Sequence, residues 1–220
     1  MKYQLDWSVI TNNLDIFFKG IYLTLEISAL SLLFAIPIGI VFGVGRISKN
    51  PIIRFISSVY VEVMRGVPLL VILIFIHLVL GQFLKLGAFW GSIISLAIFS
   101  GSFIAEIVRG GIQSLPKGQM EAARSSGMSN YQAMRLIILP QAFRKTLPPM
   151  ASQFIILIKD SSLVSTISAV DLTLKATNLA ALSYRYIEIW AFVALLYFAM
   201  TFTLSLIIRQ FEKHLLKSEY

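Results

Sequence analysis

Cysteine is absent from the sequence, which therefore has no disulfide framework, no thiolate metal site and no cysteine nucleophile. Histidine occurs only as His77 and His214, on different elements, so the paired spacing of a metalloprotease is missing. The phosphate-cradling pattern G-x-x-x-x-G-K-[ST] is missing too, and Gly43-Val44-Gly45 is a lone G-x-G at the end of an apolar run. No nucleophile has a base placed to activate it, so the chain does not read as an enzyme. Charge is also scarce: 14% of residues are charged against 57% hydrophobic, and mean hydropathy is +0.79. That leaves too few polar side chains to cover a water-facing surface, and a membrane becomes the natural solvent of a single 220-residue domain. The net charge of +8 does not indicate nucleic acid, because the basic residues lie at the ends of apolar runs and form no stripe with aromatics.

What the chain has is apolar length. Five runs, near 20–45, 54–81, 88–109, 147–169 and 187–209, each meet the requirement of about 20 residues for a helical span. The expectation is an all-α integral membrane protein with five transmembrane helices in one domain over 20–220. Twelve lysines and arginines, from Arg46 to Lys217, fall on one side; Lys2, Lys19, Lys85, Lys175 and Arg185 fall on the other, with Arg65 and Lys159 inside spans. The positive-inside tendency puts the loop 110–146 and the C-terminus in the cytoplasm and the N-terminus outside. Residues 1–19 lack the pattern of a cleaved signal peptide. Trp7, Ile10, Leu14 and Phe17 fall at helical spacing there, which predicts an external interfacial helix, with an irregular terminus as the alternative. Gly39 and Gly43 open one face of the first span to a close neighbour, either in a second subunit or within this one. Trp90 and Trp190 sit near outer span ends as interfacial anchors.

The longest polar interval runs from Ser114 to Pro149. Ser114 and Pro116 offer a helix start, and Gly127 offers a stop. Ser129 and Gln132 have capping-box spacing for a second short helix, which Pro140, Pro148 and Pro149 are expected to close. Ala122, Ala123, Ser125 and Ser126 keep the first helix slim enough for a groove wall to approach.

Ionisable side chains inside apolar spans usually face a cavity or a partner. Here they are Glu26, Glu62, Arg65, His77, Glu106, Lys159 and Asp160. Glu62 and Arg65 stand three apart and can neutralise each other. Pro68 is expected to bend the second span beside them. Asp160 lies about 20 Å along the fourth span from Leu147, near the midplane, and Ser161, Ser162 and Ser165 after it suit a hydrated path. Lys159 points about 100° away from Asp160 and is free to seek Glu62 or Glu106. Ser102 and Glu106 share a face of the third span.

The sequence EAARSSG, with Glu121, Ala122, Ala123 and Gly127, followed after nine residues by Ile137, Leu139 and Pro140, resembles the cytoplasmic EAA loop of ABC importer membrane subunits. RGVPLL from Arg65, SGSFIAEIVRGGIQSLPKGQ from Ser100 and IKDSSLVS from Ile158 resemble the polar amino acid branch of that family. The likeness covers roughly 15–215; Val67 and Ser161 stand where threonine is expected. It implies a two-helix coupling loop whose Glu121, Ala122, Ala123 and Gly127 seat in a partner ATPase. It implies also two copies of that ATP-binding subunit, which hold ATP and Mg so that this chain needs no cofactor, and a second permease subunit, identical or paralogous. An extracytoplasmic amino acid binding protein and a bacterial plasma membrane complete the expectation.

Substrate-binding candidates are Asp160, Arg65, Glu106, Ser102, Glu62 and Met64. Four intramembrane acids, Glu26, Glu62, Glu106 and Asp160, stand against two bases, Arg65 and Lys159. That excess favours a cationic solute: arginine, lysine or histidine, with Asp160 on the side-chain cation and Arg65 on the carboxylate. A secondary carrier driven by an ion gradient through Glu106, Asp160 and His77 is the rival reading. A membrane scaffold is a third.

Overall fold

A computed structural model describes residues 4–217, and the regular structure of those residues is helical throughout. The one-turn α1 (Ser8–Thr11) leads into α2 (Leu14–Arg46), then α3 (Pro51–Gly66), α4 (Leu69–Leu84) and α5 (Ala88–Gln113). The polar interval forms α6 (Lys117–Ser125) and α7 (Asn130–Ala133), which continues through a π-helical turn (Met134–Ile138) into α8 (Leu139–Asp160). A 3-10 segment (Ser161–Ile167), α9 (Leu172–Ser183) and α10 (Tyr186–Lys217) complete the chain.

Three stretches, Leu14–Arg46, Ala88–Gln113 and Tyr186–Lys213, are long and apolar enough to cross a membrane, and a fourth is counted if α3 and α4 form one span. The expected bend at Pro68 is there, but it is a break: the axes of α3 and α4 differ by 113°. Val67 and Pro68 take extended backbone at the junction, as the residue before a proline is steered to do. The run 147–169 is shared between α8 and the 3-10 segment, and neither is among the stretches that qualify by length and apolarity.

The bundle is assembled around α5. Gly39 and Gly43 of α2 face it so closely that a Cβ on Gly43 would lie 2.7 Å from the Ala105 carbonyl oxygen and 2.8 Å from Val108 Cβ. The small pair is therefore an internal contact. Further along, Ala35, Ile104, Val108, Ile138, Ala142 and Met150 form a core joining α2, α5, the π turn and α8. A second core, with Ile27, Leu73, Ile93, Leu96, Leu157 and Val164, brings in α4 and the 3-10 segment.

The N-terminal segment packs part of its apolar side chains against α9 and α10. Ile10 and Phe17 are buried with Leu172, Ala176, Ile189 and Val193, while Trp7 and Leu14 stay exposed. The Asp6 amide donates to Glu188 Oε1 at 2.8 Å, and Arg185 donates to the Gln4 carbonyl at 2.6 Å. Arg185 also sits 3.7 Å from the carboxylates of Asp6 and Glu188. Lys2 lies outside the described residues.

Candidate translocation site and coupling segment

The polar interval closes on itself by recognisable chemistry. Gly127 has φ +84, a left-handed value that suits glycine. Its amide donates to the Arg124 carbonyl at 3.0 Å and that of Met128 to the Ala123 carbonyl at 3.2 Å, the two bonds of a Schellman stop. Two residues on, Ser129 Oγ accepts from the Gln132 amide at 3.2 Å, and Gln132 Oε1 from the Ser129 amide at 2.8 Å. That is the reciprocal box expected from the spacing. Glu121, Ala122 and Gly127 are exposed, and Ala123 is buried against the rest of the loop.

Two expectations about this interval need correction. Ser114 does not start α6; its hydroxyl donates to the Gly111 carbonyl at 2.8 Å and finishes α5. The prolines do not close the second helix. Pro140 stands just after the π-helical turn (Met134–Ile138), and Pro148 and Pro149 lie inside α8. Helix runs without interruption from Asn130 to Asp160, about 45 Å at 1.5 Å per residue.

The far end of that helix lines a cavity of about 270 Å³. Gln153 and Asp160, seven residues apart and so on one face of α8, supply its polar wall with Ser100 of α5. Phe99, Phe103 and Ile156 supply an apolar wall. Gln153 joins the site here, and the signal for it in the sequence is its two-turn offset from Asp160. Ser161, Ser162 and Ser165 donate to the carbonyls of Ile158, Lys159 and Ser162 at 2.7–2.8 Å, satisfying backbone where α-helix tightens to 3-10.

Beside the cavity the charges pair differently from the sequence expectation. Glu62 takes Arg46 Nη2 at 3.1 Å, not Arg65. Glu106 collects three guanidinium groups: Arg46, Arg109 at 2.7 Å and Arg65 at 3.6 Å. Neither carboxylate pairs with Lys159, which is exposed. Arg65 is not part of the cavity wall, but its Cζ lies 5.6 Å from the centre of the ring of Phe103, which is. Ser102 is fully buried and donates to the Phe99 carbonyl at 2.6 Å, and Met64 is half-buried and absent from the cavity wall. Arg46 was read from sequence only as an end-of-span cation. Its place opposite Glu106 depends on the α2–α5 contact, which no spacing within one helix reveals.

Residues 35–217 match the family described as the binding-protein-dependent transport system inner membrane component. The chain belongs to that family. It is the permease subunit of an ABC importer, and ATP hydrolysis belongs to a separate ATPase subunit. An ATPase and an extracytoplasmic binding protein are thus its partners, and the inner membrane is its place. The permease is 37% identical to the glutamine transport system permease protein GlnP of Escherichia coli K12, with 96% of this chain and 98% of that one covered. Its likeness to the probable glutamine ABC transporter permease protein GlnM of Bacillus subtilis is also 37%, over 96% and 98%. Among solved structures it matches an amino acid ABC transporter with histidines at TM-score 0.90 and 37% identity, covering 96% of this chain and 100% of the other.

Proposed function

We propose that this permease forms the path for a polar amino acid, with glutamine ahead of other solutes, and is driven through the α6–α7 segment by the ATPase. The observation that carries this reading is one helix with a capped docking turn at its start and a carboxylate and an amide in a cavity wall at its end. Asp160 would hold the ammonium group, Arg65 beside Phe103 the carboxylate, and Gln153 the polar side chain. The acid excess that favoured a basic solute disappears once Arg46 and Arg109 are counted beside Glu62 and Glu106, which leaves four acids against four bases. Glu62 and Glu106 are committed to arginines, and Ser102 and Met64 face elsewhere, so the direct contacts reduce to Asp160, Gln153 and Arg65.

A basic amino acid is the second reading. It is favoured by Asp160 being the one charged residue in the cavity wall, and by the 37%-identical transporter described with histidines. The assembly we infer has two permease subunits, identical or paralogous, and two ATPase subunits, with the loop and C-terminus cytoplasmic and the N-terminus outside. Glu121, Ala122, Ala123 and Gly127 are its ATPase contact. ATP-dependent uptake of labelled glutamine by the reconstituted complex, competed by all twenty amino acids, is the test. Glutamine should compete best. Uptake by this chain alone, driven by an ion gradient, would establish the secondary-carrier alternative.

A further inference from the structure

Resting on the amino acid cavity just described, we propose that Arg65 is shared in alternation between Glu106 and the solute carboxylate, so that Glu106 acts as a built-in competitor that sets solute release. Glu106 does not need Arg65. Its carboxylate, with 19% side-chain exposure, is already met by Arg46 from α2 and Arg109 from its own helix, at shorter range than the 3.6 Å to Arg65. Arg65 is the loosest of the three guanidinium groups, with 43% of its side chain exposed against 15% for Arg46 and 33% for Arg109. Its other contact is the face of Phe103, whose ring also lines the cavity. A guanidinium resting on an aromatic face keeps its in-plane N–H groups available for a carboxylate.

The charge balance supports the same assignment. Arg46, Arg65 and Arg109 against Glu62 and Glu106 leave one positive charge over, in a cluster whose Arg65 rests on the cavity-lining Phe103. With the cavity empty, Arg65 shares Glu106. When an amino acid enters, its carboxylate takes Arg65, and Arg46 and Arg109 keep Glu106 neutralised. When the solute leaves, Glu106 recovers Arg65. The exchange breaks one ion pair as it makes another, so neither state leaves a guanidinium or carboxylate bare in a poorly hydrated place. Glu106 is a positioning residue in this scheme and touches no solute.

The experiment uses the full complex in lipid nanodiscs and liposomes, with glutamine affinity and ATP-driven turnover measured separately. Glu106→Gln should bind glutamine about fivefold tighter, the scale of one partly exposed ion pair, and turn over more slowly because release is retarded. The amine left when glutamine loses its carboxyl group should bind wild type and Glu106→Gln equally. In an Arg65→Gln background the Glu106→Gln effect on glutamine affinity should vanish. Weaker or unchanged glutamine binding in Glu106→Gln, tighter binding of the decarboxylated amine, or an effect that survives Arg65→Gln would each overturn the proposal. If Glu106→Gln does not assemble, Glu106→Asp, which keeps the charge on a shorter stem, should show the same sign at smaller size, and no tightening there overturns it as well. Asp160→Asn separates the two levels: unimpaired uptake in that variant discards the cavity itself, whereas impaired uptake with unaltered Glu106→Gln affinity discards only the exchange.

Discussion

Asp160 and Gln153 are single side chains on which substrate choice is predicted to turn. Asp160→Asn keeps shape and removes charge, and should reduce glutamine uptake at least tenfold, since a charged contact is worth roughly 1.5–3 kcal/mol. If cationic amino acids lose far more than glutamine in the same competition assay, the basic reading gains and Asp160 serves a side chain. Gln153→Glu should shift the competition order toward lysine and arginine, and an unshifted order would remove Gln153 from the site. Gly43→Leu tests packing, because the new side chain meets the Ala105 carbonyl and Val108 at once. The expected result is loss of folded protein, read as a lower yield and a lower melting temperature in detergent, with overpacking of about 1–3 kcal/mol as the floor. At this scale the sequence was most informative where a rule acts within a few residues. Gly127, Ser129 and Gln132 were readable as a stop and a start because caps are local. The partners of Glu62 and Arg65, and those of Glu106 beyond its own helix neighbour Arg109, were not, because they are chosen by which helix lies opposite.

The same division appears among the elements. Apolar length announced α2, α5 and α10, and each is helical over the expected run. Proline misled where its cost could be absorbed. Pro140 comes just after a π turn, and α7 flows through that turn into α8 with no stop there. At Pro68 the penalty was larger than foreseen, and a bend became a break of 113°. The N-terminal pattern of Trp7, Ile10, Leu14 and Phe17 is divided by a turn at Asn12 and Asn13 between α1 and α2, and Ile10 and Phe17 pack into the α9–α10 corner. An element-level prediction concerns the docking turn. Gly127→Ala forces a side chain into left-handed backbone, costs about 1 kcal/mol, and should lower ATPase stimulation while leaving the helix content seen by circular dichroism unchanged. Ser129→Ala removes one half of the capping box and should act in the same direction at about 1 kcal/mol, so the double variant should uncouple further than either alone.

For the whole molecule, the claim is that chemistry and fuel are kept in different chains. Membership of the family places ATP hydrolysis in a separate subunit. Large apolar side chains remain exposed along α3, α4 and α10, among them Phe55, Phe75 and Phe198, at 61–70%. They need lipid or a second permease subunit against them. Sidedness is checked by single cysteines, since the native chain has none: labels at Arg124 should react only when the inner face of intact vesicles is opened, and labels at Lys175 should react without opening. The opposite result would invert the assembly.

The unbroken run from Asn130 to Asp160 sets the amplitude of any movement it conveys. A rod of about 45 Å that pivots by roughly 5° at its base sweeps its tip through about 4 Å, more than the length of a hydrogen bond. With the proposed ATPase contact at its start, small angular play there is enough to open or shut a chamber the size of one amino acid. Any slack would sit at Pro148 and Pro149, where the helix lacks two of its rungs.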